Sequence, residues 1–148
     1  MDIHTILFAT DFSEASDPAF RVAASLARDN TARLVLLHVS EYDDYPMGEQ
    51  VDEEPIPPQN ETDKLNALIS RVQGVRCEWR WVHREQPHQA DAIIEVAEKE
   101  DADIVVVGSH GRRGLMHLLM GSVAEKVIRN AKCPVLCVRH MKPSTDKV

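Results

Sequence analysis

Five short apolar runs, set between amphipathic stretches, constrain this 148-residue chain more than any other feature. Ile3 to Thr10 (IHTILFAT), Arg33 to Val39 (RLVLLHV), Asp103 to Gly108 (DIVVVG) and Cys133 to Arg139 (CPVLCVR) are nearly continuously hydrophobic, as strands covered on both faces are. Val75 to Val82 (VRCEWRWV) alternates instead. Val75, Cys77, Trp79 and Trp81 share one face and Arg76, Glu78 and Arg80 the other, which predicts a strand with a wetter side. Helical spacing fills the gaps. Ala15, Ala19, Val22, Ala23 and Leu26 form a stripe over about Ser13 to Asp29, with Ser13 or Ser16 available as a cap. Leu65, Leu68, Ile69 and Val72 mark a second helix ending near Gly74, a residue suited to the left-handed position after a helix. Pro87 opens a third, with Ala90, Ile93, Ile94 and Ala97 inward. Val123, Ala124, Val127, Ile128 and Ala131 give a fourth.

Strand–helix alternation with doubly covered strands predicts a single-domain, doubly wound α/β fold: a five-stranded parallel sheet with helices on both faces and right-handed crossovers. The amphipathic third strand and Pro134 in the fifth place those two at the edges, so the expected order is 3-2-1-4-5. The chain reverses direction between strands one and four, and ligands in such sheets bind beyond the carboxyl ends at that reversal. The segments meeting there are Thr10–Asp11–Phe12 and the stretch beginning at Gly108.

Composition excludes several classes. Hydrophobic and charged fractions of 43% and 28% are those of an ordinary globular domain, expected over residues 1–142 with a disordered tail at 143–148. No apolar run approaches the roughly 18 residues of a membrane span, and the N-terminus lacks a basic segment ahead of an apolar one, so a cytoplasmic location is expected. Cys77, Cys133 and Cys137 lack CxxC spacing and read as buried apolar residues. The net charge of −7 is concentrated in one place: Glu41, Asp43, Asp44, Glu49, Asp52, Glu53 and Glu54 lie in a Pro-rich excursion, residues 40–58, that holds no Lys or Arg. The remainder is balanced, with no basic patch for nucleic acid.

Four of the six glycines, Gly108, Gly111, Gly114 and Gly121, fall within fourteen residues, between a strand and a helix. Glycine there allows positive φ and lets N–H groups approach a ligand without a Cβ in the way. Gly121 and Ser122 begin a helix, whose unpaired amides and positive dipole end attract phosphate. The spacing is neither GxxxxGK[ST] nor GxGxxG.

The spacing Gly108-x2-Gly111-x9-Gly121-Ser122 after DIVVVG resembles the ATP-binding members of the universal stress protein family. ILFATDFSEAS, LLHV, Pro87–His88, GSHGRRG, GSVAEKVI and CPVLCV extend the resemblance over essentially the whole chain. It implies an adenine nucleotide alpha hydrolase-like fold and a nucleotide-responsive stress or regulatory protein that binds ATP, AMP or ADP, with Mg or Mn carried in on the phosphates. It also implies that Ala9, Thr10 and Asp11 contact the nucleoside, that the Val39 backbone reads the adenine edge, and that Gly108, Ser109, His110, Gly111 and Arg112 line ribose and phosphates. Gly121, Ser122 and Val123 would hold the phosphate chain. Ala9 departs from the pattern, because relatives often have proline there. A homodimer through Pro134–Val138 is implied as well.

Other readings stay open. The glycines could form only a turn, and Asp11 could cap the first helix. A slow ATPase or adenylyl-transfer activity would need His110 or Asp11, yet no positioned general base or nucleophile is readable, so no catalytic residue is assigned. No side chains show metal-ligand spacing. A third reading is a nucleotide-free dimeric interaction module.

Overall fold

The computed structural model describes residues 1–41, 55–84, 87–110 and 120–140. Five strands, β1 (Thr5–Thr10), β2 (Arg33–Ser40), β3 (Cys77–His83), β4 (Ile104–Gly108) and β5 (Val135–Val138), form one all-parallel sheet in the order β3-β2-β1-β4-β5. Four helices connect them: α1 (Asp17–Asn30), α2 (Gln59–Ser70), α3 (Gln89–Lys99) and α4 (Ser122–Asn130).

The central strands are apolar throughout because both their faces are covered. On one side Ile6, Phe8, Leu34, Leu36 and Val106 pack against Ala19, Phe20 and Ala23 of α1 and Leu65 of α2. On the other, Leu7, Val35, Leu37, Val105 and Val107 meet Ile93 and Ala97 of α3 and Ala124 and Val127 of α4. Alternate residues of one strand thus feed two cores, a consequence of the two-residue period of the pleat.

The wetter face of β3 is covered by an ion-pair network. Arg33 Nη1 lies 3.0 Å from Glu100 Oε2 and 3.3 Å from Glu78 Oε2, while Arg80 reaches Glu100 through Nε at 2.6 Å. Hydrogen bonds from Arg76 and Arg80 hold the Glu78 carboxyl down at about 2. On the other face, Trp79 and Trp81 pack toward α2 and donate their indole N–H groups to Asn66 and Glu61.

Several local expectations are corrected. Helix α2 begins at Gln59, well before its apolar stripe, since its first turn, Gln59 to Thr62, is polar. Ser40 closes β2 rather than opening the excursion loop. Neither Ser13 nor Ser16 caps with its side chain: the Ser16 hydroxyl instead donates to the Ser13 carbonyl, at 2.8 Å. Gly74 has φ +72, but it lies in the turn before β3, beyond the α2 C-cap at Arg71. The three cysteines are half-buried rather than buried. Desolvation still raises all three thiols, Cys77 to about 11. Pro134 stands just before β5, and its carbonyl accepts the Val105 amide. Among the described residues, no helix is long and apolar enough to cross a membrane.

Candidate functional site

Strand β1 is the hinge of the topology: it pairs with β2 on one side, to Thr10↔His38, and with β4 on the other, to Phe8↔Val106. Beyond those partners lie the two segments predicted to meet. Ala9 and Val39 face the α3/α4 side, packed against the core that includes Leu7, Val35 and Leu37. Thr10 and His38, one residue away in each strand, are buried toward α1 and α2.

The β1–α1 turn is tightly specified. Asp11 Oδ1 accepts the Ser13 amide at 2.9 Å and the Ser13 hydroxyl at 2.5 Å, an Asx turn that leads into the 3₁₀ turn Glu14–Ser16. Asp11 thus closes a turn ahead of the helix and caps neither the 3₁₀ turn nor α1, whose N-cap positions are Ser13 and Ser16. Phe12 has φ +64, a left-handed conformation that is costly for a bulky side chain. Its amide donates to Thr10 Oγ1 at 3.0 Å, and its ring lies on the His38 imidazole with centroids 4.1 Å apart.

From β4 the chain passes through Gly108, Ser109 and His110. Ser109 is buried; its amide donates to the Val138 carbonyl at 2.9 Å and its carbonyl accepts the Gly121 amide at 2.6 Å. Its hydroxyl lies 3.0 Å from His110 Nδ1. Positive φ is not what Gly108 and Gly121 supply. Gly121 has φ −71, and Gly74 is the one described glycine in the left-handed region. Close approach is the use of Gly121, where a Cβ would lie 3.2 Å from the Ser109 carbonyl oxygen; at Gly108 a Cβ would lie 3.5 Å from the Ala15 carbonyl oxygen, an ordinary contact. Gly111, Arg112, Arg113 and Gly114 lie outside the described residues.

Helix α4 starts from Gly121 in an extended conformation, without a side-chain cap. Its first helical bond runs from the Glu125 amide to the Gly121 carbonyl, so the amides of Ser122, Val123 and Ala124 have no acceptor within the helix. Ser122 and Val123 are exposed. A helix start without a side-chain cap is a place for an anion, although Glu125 already puts one carboxylate in this first turn.

One residue was missed from sequence. Gln89, the first residue of α3, is 8% exposed, and its Nε2 is buried with no hydrogen-bond partner among the described residues. It lies on the inward stripe of α3, one turn beyond Ile93 toward the carboxyl ends of the strands, on the face that carries Ala9 and Val39. A glutamine in a helical stripe gives no signal of burial by itself.

A cleft of about 680 Å³ between α1 and α2 is lined by Phe8, Phe12, Phe20, Lys64 and Arg71. It shares Thr10 and Ser13 with the turn but opens on the face away from Ala9, Val39 and α4. Among the described residues no three His, Cys, Asp or Glu side chains gather as metal ligands.

A parallel α/β domain with a strained turn, a glycine-permitted close approach and an uncapped helix start at its topological switch point belongs to the class of Rossmann-like domains. The chain is a member of the universal stress protein family, whose model matches residues 2–139. It is 32% identical to the universal stress protein MJ0531 of Methanocaldococcus jannaschii, over 93% of this chain and 82% of that one. It is 36% identical to a universal stress protein of Thermus aquaticus, over 91% and 98%. The solved structure of the hypothetical protein MJ0577 superposes with a TM-score of 0.76 at 23% identity, covering 97% of this chain and all of that one. A universal stress protein from Archaeoglobus fulgidus, solved in complex with dAMP, superposes with a TM-score of 0.65 at 26% identity, over 93% and 99%.

Proposed function

We propose that this protein binds an adenine nucleotide, ATP in particular, at the carboxyl ends of β1, β2 and β4, and acts in the cytoplasm as a nucleotide-responsive stress or regulatory protein. The observation that carries this reading is the uncapped start of α4, where the Ser122, Val123 and Ala124 amides stand beside a glycine that admits the Ser109 carbonyl. The dAMP complex of the Archaeoglobus fulgidus relative supports the adenine class.

In this reading Gly121, Ser122 and Val123 hold phosphate oxygens, with Gly108, Ser109, His110, Gly111 and Arg112 around ribose and phosphates. Ala9, Thr10, Asp11 and the Val39 backbone receive the nucleoside. The Gln89 amide, without an acceptor among the described residues, fits such a ligand, because an unpaired buried donor costs about 1–3 kcal/mol, a cost that a base ring nitrogen would relieve. Mg or Mn would enter on the phosphates, its charge offset by their oxygens. The protein's output is a conformation or partner interaction, with a homodimer through Pro134–Val138 as the assembly; β5 is a sheet edge able to pair with a second copy.

Titration calorimetry with ATP, ADP, AMP and GTP tests the reading. Micromolar binding of the adenine nucleotides, weakened at least tenfold by Gly121→Val and by Gln89→Leu, is the expected result. Absence of a heat signal with every adenine nucleotide, together with none co-purifying by mass spectrometry, rejects it.

A further inference from the structure

The imidazole of His38 joins the β1–α1 turn to the start of α2. The side chain is 6% exposed, near the carboxyl end of β2. Its Nδ1 lies 2.8 Å from the Thr10 carbonyl oxygen, which can only accept, so Nδ1 carries a proton. Its Nε2 lies 3.5 Å from Glu61 Oε2, in the first turn of α2. Both oxygens of Glu61 already accept other donors, the Ser40 hydroxyl at 2.9 Å and the Trp81 indole N–H at 2.6 Å. These bonds fix the carboxylate across β2 and β3. The Phe12 ring covers the imidazole from the turn, and Phe12 is the residue held in the left-handed conformation.

With Nδ1–H committed to Thr10, the ring has two states. Neutral, it presents the bare Nε2 lone pair to a carboxylate. Protonated, it presents an N–H to each of two acceptors, and the cation is opposed by a fixed anion. The charged and titratable groups of the adjoining segments are Lys64 of α2, whose Nζ is 5.4 Å from the Phe12 ring centre, His83 of β3, whose ring lies against Trp81, Glu41 after β2, and Asp11, which is turned toward Ser13.

We infer that His38 is a positioning residue for the nucleotide site: as an imidazolium clamped between the Thr10 carbonyl and the Glu61 carboxylate, it holds the Thr10–Asp11–Phe12 turn in its binding form. The clamp reaches nucleotide through Asp11, and to that extent it rests on the function proposed above. Loss of one proton from Nε2 releases the pull of α2 on the ring and loosens the strained turn. Nucleotide affinity then falls as pH rises through the His38 titration.

The test uses the full chain labelled with ¹⁵N. Ring-nitrogen NMR, with His38 assigned by its absence in His38→Gln, follows the imidazole from about pH 5.5 to about pH 9. The expected spectrum is that of an imidazolium persisting above the range of a free imidazole, and Glu61→Gln, which offers a donor to Nε2, should move the titration downward. Amide exchange at Phe12 and Ser13 should accelerate beyond its intrinsic pH dependence as the ring deprotonates. The ATP dissociation constant should weaken several-fold over the same interval. His38→Gln retains one N–H for Thr10 but cannot titrate, so the part of the pH dependence that belongs to His38 should vanish while that of His110 and of the ATP terminal phosphate stays, whereas the control His83→Gln should keep the wild-type slope.

A ring neutral throughout this interval overturns the inference. So does an unchanged Phe12 and Ser13 exchange profile in His38→Gln. If no adenine nucleotide binds at any pH, the proposed function fails, while the ring titration and amide exchange still decide the clamp.

Discussion

The carboxylate of Asp103 lies 2.9 Å from the backbone nitrogen of Thr5, the first residue of β1, and 2.8 Å from that of His4. It thereby ties the segment entering β4 to the start of β1, and the two backbone hydrogen bonds hold its carboxyl below the usual aspartate range. A carboxylate with a lowered folded-state pKa contributes stability above its unfolded pKa of about 3.9 and loses it as pH falls through the folded value. Asp103→Asn, whose amide oxygen can still accept both N–H groups, should therefore cost under about 1 kcal/mol at neutral pH, solvent screening included. The gap in thermal midpoint between wild type and variant should close as pH drops from about 5 to about 2. A pH-independent gap would contradict this.

Gly121→Ala tests the close approach rather than backbone freedom. At φ −71 an alanine is unstrained, and by chain entropy alone it would stabilise by about 0.4–1 kcal/mol. Its Cβ would sit 3.2 Å from a carbonyl that cannot retreat, because Ser109 is bonded through that oxygen to Gly121 and through its amide to Val138. A net loss is expected, and Gly121→Val should lower the thermal midpoint by several degrees, read by circular dichroism.

Glu100 joins the end of α3 to Arg33 of β2 and Arg80 of β3. Its side chain is 11% exposed, so the pairs are better shielded than surface salt bridges. Glu100→Ala leaves two partly buried guanidinium groups short of an acceptor and should cost about 1–3 kcal/mol in urea unfolding. Arg129→Ala, which breaks an exposed pair with Glu125 within α4, should cost under about 0.5 kcal/mol.

The thiol of Cys77, pushed up to about 11 by burial on β3, carries a thiolate fraction of roughly a thousandth at about pH 8. Alkylation by iodoacetamide, followed by mass spectrometry, should be slow at Cys77 in the native protein and should become fast in denaturant. Equal rates in both states would place the thiol in solvent.

The sequence by itself determined the strand set, the sheet order and the family. Short, β-branched apolar runs set between helical stretches fit strands covered twice, and the edge strands declare themselves by alternation at Trp79–Arg80–Trp81 and by Pro134. It also named both segments that flank the switch point, because glycine clustering and a Thr-Asp-Phe-Ser turn are local signals. The way those residues act was decided by tertiary structure. Gly121 is small because a carbonyl from another segment touches it, and Gln89 is buried because α3 packs its first turn over the sheet. His38 reads in sequence as one polar residue in an apolar strand, and it becomes a bridge only when β1 supplies the Thr10 carbonyl and α2 the Glu61 carboxylate. Periodicity reports which face a residue occupies; what stands opposite that face depends on contacts between residues distant in the chain, and no local pattern encodes them.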